Sequence, residues 1–426
     1  MTAPPPPTGT VAARLRPWHF ILAFGIVSLL ADMVYEGARS IIGPYLATLG
    51  ASAALVGVVA GAGEFIGYGL RVVTGYATVR TRHYWTWTIV GYALTVLSVP
   101  LIGVTGMLAP ALLLYGTERL GKAVRSPAKD TLLSYASAST GRGSAFGVHQ
   151  ALDQTGAVLG PLLLAAVLGW RDGDYALAFG VLIVPGALVL ALLLWLRHRV
   201  PDPLVYEQPE RASTAPAERA DAAGAPGDVV TSTPSGRPPL PGRFWFYVAV
   251  IAVLSIGTAS FPLLAFHAQS HGLLPDALVP ILFAVAMLVD GASGLVVGRA
   301  YDRFGARVLL LIPAAALASA IAFTDDVALL WIGVAVWGLV SGVLDSTVKA
   351  VVTELVSSGS RAIAFGWLAF ARGFGLLLAG AALGFAYDRG AVWLVIAMVA
   401  ANVLGFAGLL VVLRRMASPA AAARGR

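Results

Sequence analysis

Apolar residues run in stretches of about twenty or more along nearly the whole chain, broken by short polar or Gly/Pro-rich segments. A helix that crosses a bilayer needs about 20 apolar residues, and the runs have that length. The pattern predicts helices 1 to 6 at residues 18–46, 52–78, 84–104, 108–135, 143–169 and 175–196. Helices 7 to 12 are predicted at 243–269, 276–299, 306–323, 327–356, 360–387 and 391–413. Between the two sets the composition changes. Nine of the 45 residues from 198 to 242 are Pro, mixed with Ala, Ser, Thr, Gly and charges of both signs. Such a segment cannot bury a core and reads as a disordered linker. The expected fold is an all-α membrane protein with 12 transmembrane helices in two six-helix bundles. These are a tail at 1–17, a bundle at 18–197, the linker at 198–242, a bundle at 243–414 and a tail at 415–426.

Composition narrows the class. Of 426 residues, 58% are hydrophobic and 12% are charged, whereas soluble domains carry about 25% charged residues. A soluble enzyme and a disordered chain are excluded. With no Cys, disulfides and thiolate metal sites are excluded too. The net charge of +7 would suggest nucleic acid as a partner of a soluble protein. Its placement argues otherwise. Nineteen of the 29 Lys and Arg fall on the face that holds both termini, only Arg171 and Arg389 fall on the other, and eight lie within the spans. The positive-inside rule then predicts a plasma (inner) membrane protein with cytoplasmic termini, a lipid partner and no nucleic acid. The Pro-rich start has no small-residue cleavage site behind a short apolar core, so it reads as a tail before a retained helix.

The halves repeat each other. Ser-Thr-Gly-Arg142-Gly-Ser-Ala-Phe-Gly opens helix 5, and Ser-Gly-Ser-Arg361-Ala-Ile-Ala-Phe-Gly opens helix 11, 219 residues later. After helix 8 the chain reads Gly298-Arg-Ala-Tyr-Asp302-Arg303-Phe-Gly305-Ala-Arg307. This resembles the loop signature of the major facilitator superfamily. The equivalent stretch after helix 2 keeps Gly75, Arg80 and Arg82 but has Val79 where the acid should stand. Helix 5 carries Gly156-Ala-Val-Leu-Gly160-Pro161, similar to the core of the family's antiporter motif but without its Gly-Gly tail. The stretch from Glu118 to Asp130 looks like a poorly characterised bacterial subgroup of the superfamily. The resemblance covers nearly all of residues 18–414.

Each motif has a physical reading. Gly298 is expected to let the backbone pass close to a neighbouring helix. Asp302 suits a helix N-terminus, where unpaired amides and the dipole favour an anion. By the symmetry of the halves that helix is helix 5, so Asp302 is expected to latch onto the Arg142–Ser144 corner. The mirror latch is weakened by Val79. Gly156 and Gly160 give a small-residue face for tight packing, and Pro161 is expected to kink the helix after it.

Leaving out the two residues at either end of each, the predicted spans hold nine acids and eight bases. Each unpaired charge near the bilayer centre costs about 2.5–3.5 kcal/mol, so these groups must face the interior, pair or titrate. Asp32, Tyr35, Glu36 and Arg39 follow i, i+3, i+4, i+7 spacing on helix 1. Glu118, Lys122, Arg125 and Lys129 stripe helix 4, next to Arg119, and Asp345 and Lys349 share a face of helix 10. The resemblance implies that helices 1, 4, 7 and 10 line a central cavity, where these stripes would meet. Helix 5 contributes His149, Gln150, Asp153 and Gln154. Two ligands four apart are too few for a metal site, so none is expected. Arg372 on helix 11 is expected to pair with Asp290 or Asp345.

These features point to a monomeric secondary transporter that moves a small organic solute by alternating access, without a cofactor, most simply by proton-coupled efflux. A buried carboxylate titrates according to burial and its basic neighbours. Asp32 and Glu36 are therefore the coupling candidates, with Lys122 and Arg125 as their expected partners. The basic helix-4 stripe makes an anionic or zwitterionic solute at least as natural as a cationic one. A proton-coupled uptake symporter and a receptor or scaffold that has lost transport are the alternatives. An intramembrane enzyme lacks support, since no zinc-protease His pair, Gly-x-Ser-x-Gly turn or phosphate loop is present.

Overall fold

The structure, a computed structural model, describes residues 15–137, 140, 142–206, 240–357 and 360–417. Among these there is no strand. The first half holds α1 (Pro17–Thr48), α2 (Ala53–Gly69, continued by Arg71–Thr81), α3 (Tyr84–Thr105), α4 (Leu108–Ser137), α5 (Arg142–Trp170) and α6 (Tyr175–Val181 and Ile183–Arg199). The second half holds α7 (Gly242–Ile256 and Phe261–Ser270), α8 (Leu278–Phe304), α9 (Leu311–Ser319), α10 (Val327–Leu355), α11 (Arg361–Asp388) and α12 (Ala391–Ala417).

Ten stretches among the described residues are long and apolar enough to cross a membrane. One of them, Leu278–Phe323, has 46 residues. At 1.5 Å per residue it would be about 70 Å long, more than twice a hydrocarbon core of about 30 Å. The chain breaks inside it at Gly305, whose φ of 62° suits glycine, and the stretch comprises α8 and α9. Helix α4 falls outside the ten because of its six charged residues, although its 30 residues are enough to span. With α4 added and α8 separated from α9, the helices follow the predicted order.

Three boundaries differ from the pattern. Helix 7 is not continuous but opens at residues 257–260. The only polar residues in the run there are small, Ser255, Thr258 and Ser260, so hydropathy alone could not reveal the break. Helix α8 runs on to Phe304, so Gly298, Asp302 and Arg303 sit on its last turns rather than in a loop. The segment after α6 starts with a docked 3-10 turn, Pro203–Tyr206. Trp85 Nε1 donates to the Val200 carbonyl (3.0 Å), and the Tyr206 hydroxyl donates to the Leu15 carbonyl (2.8 Å). The remainder of the expected linker, 207–239, and most of both tails lie outside the described residues.

Within the halves α1 packs on α5, α3 on α4 and α8 on α10. Across the halves α2 packs on α11, α5 on α8, and α1 on the second segment of α7. Glycines permit the closest approaches. A Cβ on Gly156 or Gly160 would strike the Leu29 or Met33 carbonyl of α1, which is the tight face expected of that motif. Gly57 and Gly380 meet backbone to backbone where α2 crosses α11, and Gly43 abuts the Pro262 carbonyl. These last contacts cluster toward the end that carries the 49–52 and 389–390 turns, here termed the far face. The opposite end, which carries Pro17 and Ala417, is the terminal face.

Candidate functional site: a charged cavity between the halves

The stripe predicted on α1 does meet Lys122 of the α4 stripe. A cavity of about 230 Å³ lies between the halves, lined by residues of α1, α2, α4, α5, α7, α8, α10 and α11. Of the thirteen residues proposed from the sequence for substrate or proton, eight line it: Asp32, Tyr35, Glu36, Arg39, Lys122, Asp153, Asp345 and Arg372. Helical periodicity explains this, because spacings of three and four put each set on one face. Glu118, Arg119, Arg125, Lys129 and Lys349 do not line it. The first four stand behind the wall, whereas Lys349 is exposed toward the terminal face.

Along one wall and behind it, carboxylates and guanidinium groups are knotted together. Glu64 Oε1 receives Arg39 at 3.3 Å and Arg119 at 3.5 Å. Arg39 also reaches Glu36 (3.5 Å), and Arg119 reaches Glu118 (2.8 Å). Three acids thus share two guanidinium groups. Arg119 is 1% exposed, and a charge that deep persists only because it is paired. On the other side of the cavity Arg372 donates to Asp345 at 2.5 Å, which resolves the choice between Asp290 and Asp345. The Asp345 side chain is nonetheless 54% exposed, so the cavity opens toward the terminal face.

Lys122 and Arg125 make no direct ion pair with Asp32 or Glu36 among the described residues, although Arg125 acts through space on Asp32 and Lys122 on Glu36. The Lys122 ammonium lies 4.2 Å from the centre of the Tyr35 ring, and the Arg125 guanidinium sits between Tyr35 (5.2 Å) and Tyr92 (4.3 Å). Aromatic faces attract cations through the ring quadrupole, so Tyr35 is the direct contact of both cations. Asp32 is 8% exposed and has no hydrogen bond or ion pair among the described residues. Asp153 is held at 3.8 Å by Lys129, which also reaches His149 (3.3 Å).

Several lining residues escaped the sequence assignment. Glu64 and Tyr68 come from α2, and Asp290 and Met287 from α8. Thr258 and Ser260 come from the opened segment of α7, and Trp337 and Ser341 from α10. Opened helices inside a membrane protein are tolerated where they line a cavity, because the freed backbone groups need partners. Here the Asn402 amide donates to the Gly257 carbonyl (2.9 Å), and Trp337 Nε1 donates to the Ala259 carbonyl (2.7 Å). The sequence signal was Gly257-Thr-Ala-Ser260 just ahead of Pro262.

The gating motifs stand apart in this conformation. Asp302, Arg303 and Arg307 are exposed at the terminal face, and Asp302 makes no ion pair among the described residues. Nothing lies within 4 Å of a Cβ built on Gly298. The close approach expected there is absent in this conformation, while Gly305 supplies the left-handed backbone at the break. The Arg142 side chain lies outside the described residues. Pro161 sits within the unbroken helix α5.

Residues 118–320 match the family model described as Major Facilitator Superfamily. An uncharacterized MFS-type transporter of Methanocaldococcus jannaschii is 22% identical over 354 residues, covering 81% of this chain and 83% of that protein. The chain belongs to the major facilitator superfamily. A relative in Mycobacterium tuberculosis, the uncharacterized protein Rv2265, is 46% identical over 401 residues, 93% of each chain. A solved POT family transporter, in complex with 5-aminolevulinic acid, shares the fold with a TM-score of 0.70 at 11% identity, covering 93% of this chain and 96% of that one. Membership of the superfamily implies a multi-pass membrane setting and a small-molecule substrate.

Proposed function

We propose that this protein is a secondary transporter that moves a small organic solute by alternating access, coupled to protons and running as efflux. The observation that carries the reading is the charged cavity between two halves that pack backbone to backbone at the far face. Alternating access requires that one seal form as the other opens, about a fixed site. The Arg and Lys bias supports a plasma-membrane orientation with the terminal face in the cytoplasm, in which Asp345 on the cavity wall is exposed toward the inside. Asp32 is the coupling carboxylate of choice, since it is buried, lines the cavity and is not committed to a cation. Glu36 is less suited because Arg39 already holds it.

The test is flux. Purified protein in proteoliposomes carrying an internal pH dye is challenged with a solute panel under an imposed proton gradient. Solute-dependent proton movement in the counter direction is expected, and it should be lost in an Asp32→Asn, Glu36→Gln double variant. Co-directional movement would favour uptake by symport. Unchanged coupling in the double variant would remove the assignment of these carboxylates. Absence of flux for every solute would favour the receptor reading.

A further inference from the structure

The cavity's charges do not balance, and the imbalance has a location. The charged residues lining it, together with those ion-paired to them, comprise six carboxylates against five Lys and Arg. The knot around Glu64, the Lys129–Asp153 pair and the Arg372–Asp345 pair account for four of these acids. The two left without an ion pair among the described residues are Asp32 and Asp290. Asp32 is more than nine-tenths buried. The Oδ1 atom of Asp290 is wholly buried and has no hydrogen-bond partner. The one lining cation without a carboxylate, Lys122, is engaged by the ring of Tyr35.

The two acids flank the same part of α5. A Cβ on Gly156 would meet the Asp32 Cβ at 3.0 Å, and one on Gly291, next to Asp290, would meet the Gln154 side chain at 3.0 Å. Gln154 itself donates to the Met287 carbonyl at 2.6 Å. One acid belongs to each half, and both line the same cavity. Met287 and Trp337 supply an apolar and aromatic surface in the same cavity.

We infer that the solute is an organic cation, a protonated amine or a quaternary ammonium, whose charge sits between Asp32 of α1 and Asp290 of α8. This rests on the transporter reading above and names its substrate class. An uncompensated carboxylate at membrane depth is expensive, and it is relieved either by a proton or by a cation. An anionic solute would add to the excess. Cation and proton therefore compete for these two groups, which makes their exchange the natural cycle. The charged groups facing them are Glu36 and Arg39 from α1, Glu64 from α2, Lys122 from α4, Asp153 from α5, Asp345 from α10 and Arg372 from α11, with Arg125 and Lys129 behind. The inference departs from the anionic or zwitterionic preference drawn from the α4 stripe, because those cations are spent on acids and aromatic rings.

The test uses a pair of probes matched in size and opposite in charge, benzyltrimethylammonium and benzylsulfonate, together with tetraethylammonium. Binding to the purified full-length protein is measured by calorimetry at pH 8 and pH 5. At least one ammonium probe is expected to bind at pH 8, at least tenfold more weakly at pH 5, with no binding of the sulfonate. Asp290→Asn and, separately, Asp32→Asn should each weaken ammonium binding at least tenfold and flatten its pH dependence. Asp290→Glu should retain it, and Asp130→Asn, on the exposed side of α4, should not change it. Sulfonate binding, ammonium binding indifferent to both Asn variants, or no binding of any ammonium probe would each overturn the inference. Proteoliposome flux of a neutral or anionic solute without ammonium flux would overturn it while leaving the transporter reading intact. Flux of nothing would count against both.

Discussion

The two ends of the molecule are held in different ways. At the far face, backbone meets backbone. Gly57 lies on Gly380, Gly43 abuts the Pro262 carbonyl, and the Asp388 carboxylate of α11 accepts from the Ala53 and Ala54 amides of α2 at 3.1 Å each. The terminal face shows charged side chains, open space around Gly147 and Gly298, and an exposed Asp302. A seal made by shape tolerates no added atom. A seal to be made by charge depends on which partners are presented to it. The comparison teaches that the acid-for-dipole device expected of Asp302 operates at the opposite end, through Asp388, where a carboxylate of one half caps a helix of the other.

The strongest way to break this contrast is to fill the far-face crossing. Gly57→Leu or Gly380→Leu puts a side chain where a carbonyl already stands, so the far face should fail to close. Transport is expected to fall more than tenfold. Because the chain has no Cys, a single cysteine introduced at Ala54 can report the opening as faster labelling by a membrane-impermeant maleimide. Glu64→Gln tests the wall between the two ends. It leaves two buried guanidinium groups short of a carboxylate, and breaking such a pair costs about 3–5 kcal/mol, read as a clear fall in melting temperature. Asp388→Ala removes a cap worth about 1 kcal/mol, a shift of roughly fivefold in the balance of the two states, visible as a modest rise in the same Ala54 labelling. The smallest effect is expected from Asp302→Asn. Melting of the form described here should change by less than about 0.5 kcal/mol, as for surface substitutions generally. If Asp302 latches in the alternate state, transport alone will suffer.

Periodicity made most of the architecture readable, because a bilayer forces apolar runs of fixed length and forces charges inward. It made one wall of the cavity readable for the same reason. The stripe from Asp32 to Arg39 could lie on only one face of α1, and burying that face in lipid was too costly. What it could not reveal was pairing across helices. Nothing in the spacing of α4 shows that Lys122 rests on Tyr35, or that Arg119 is drawn back to Glu64 of α2. Asp290 stands alone in its helix turn, with no neighbouring charge to draw attention to it, and its partners come from helices far away in sequence. The interruption of α7 was hidden because Thr258 and Ser260 are small and their surroundings apolar. Only the Gly and Pro around them hinted at it.

That interruption has a mechanical consequence. The Gly242–Ile256 segment packs on α11 and α12 of its own half, whereas Phe261–Ser270 leans on α1 of the other. The four residues between them are thus where the chain passes from one body to its counterpart. Thr258 and Ser260, which face the cavity, sit at this articulation, so a guest that binds there touches the joint itself as well as the walls.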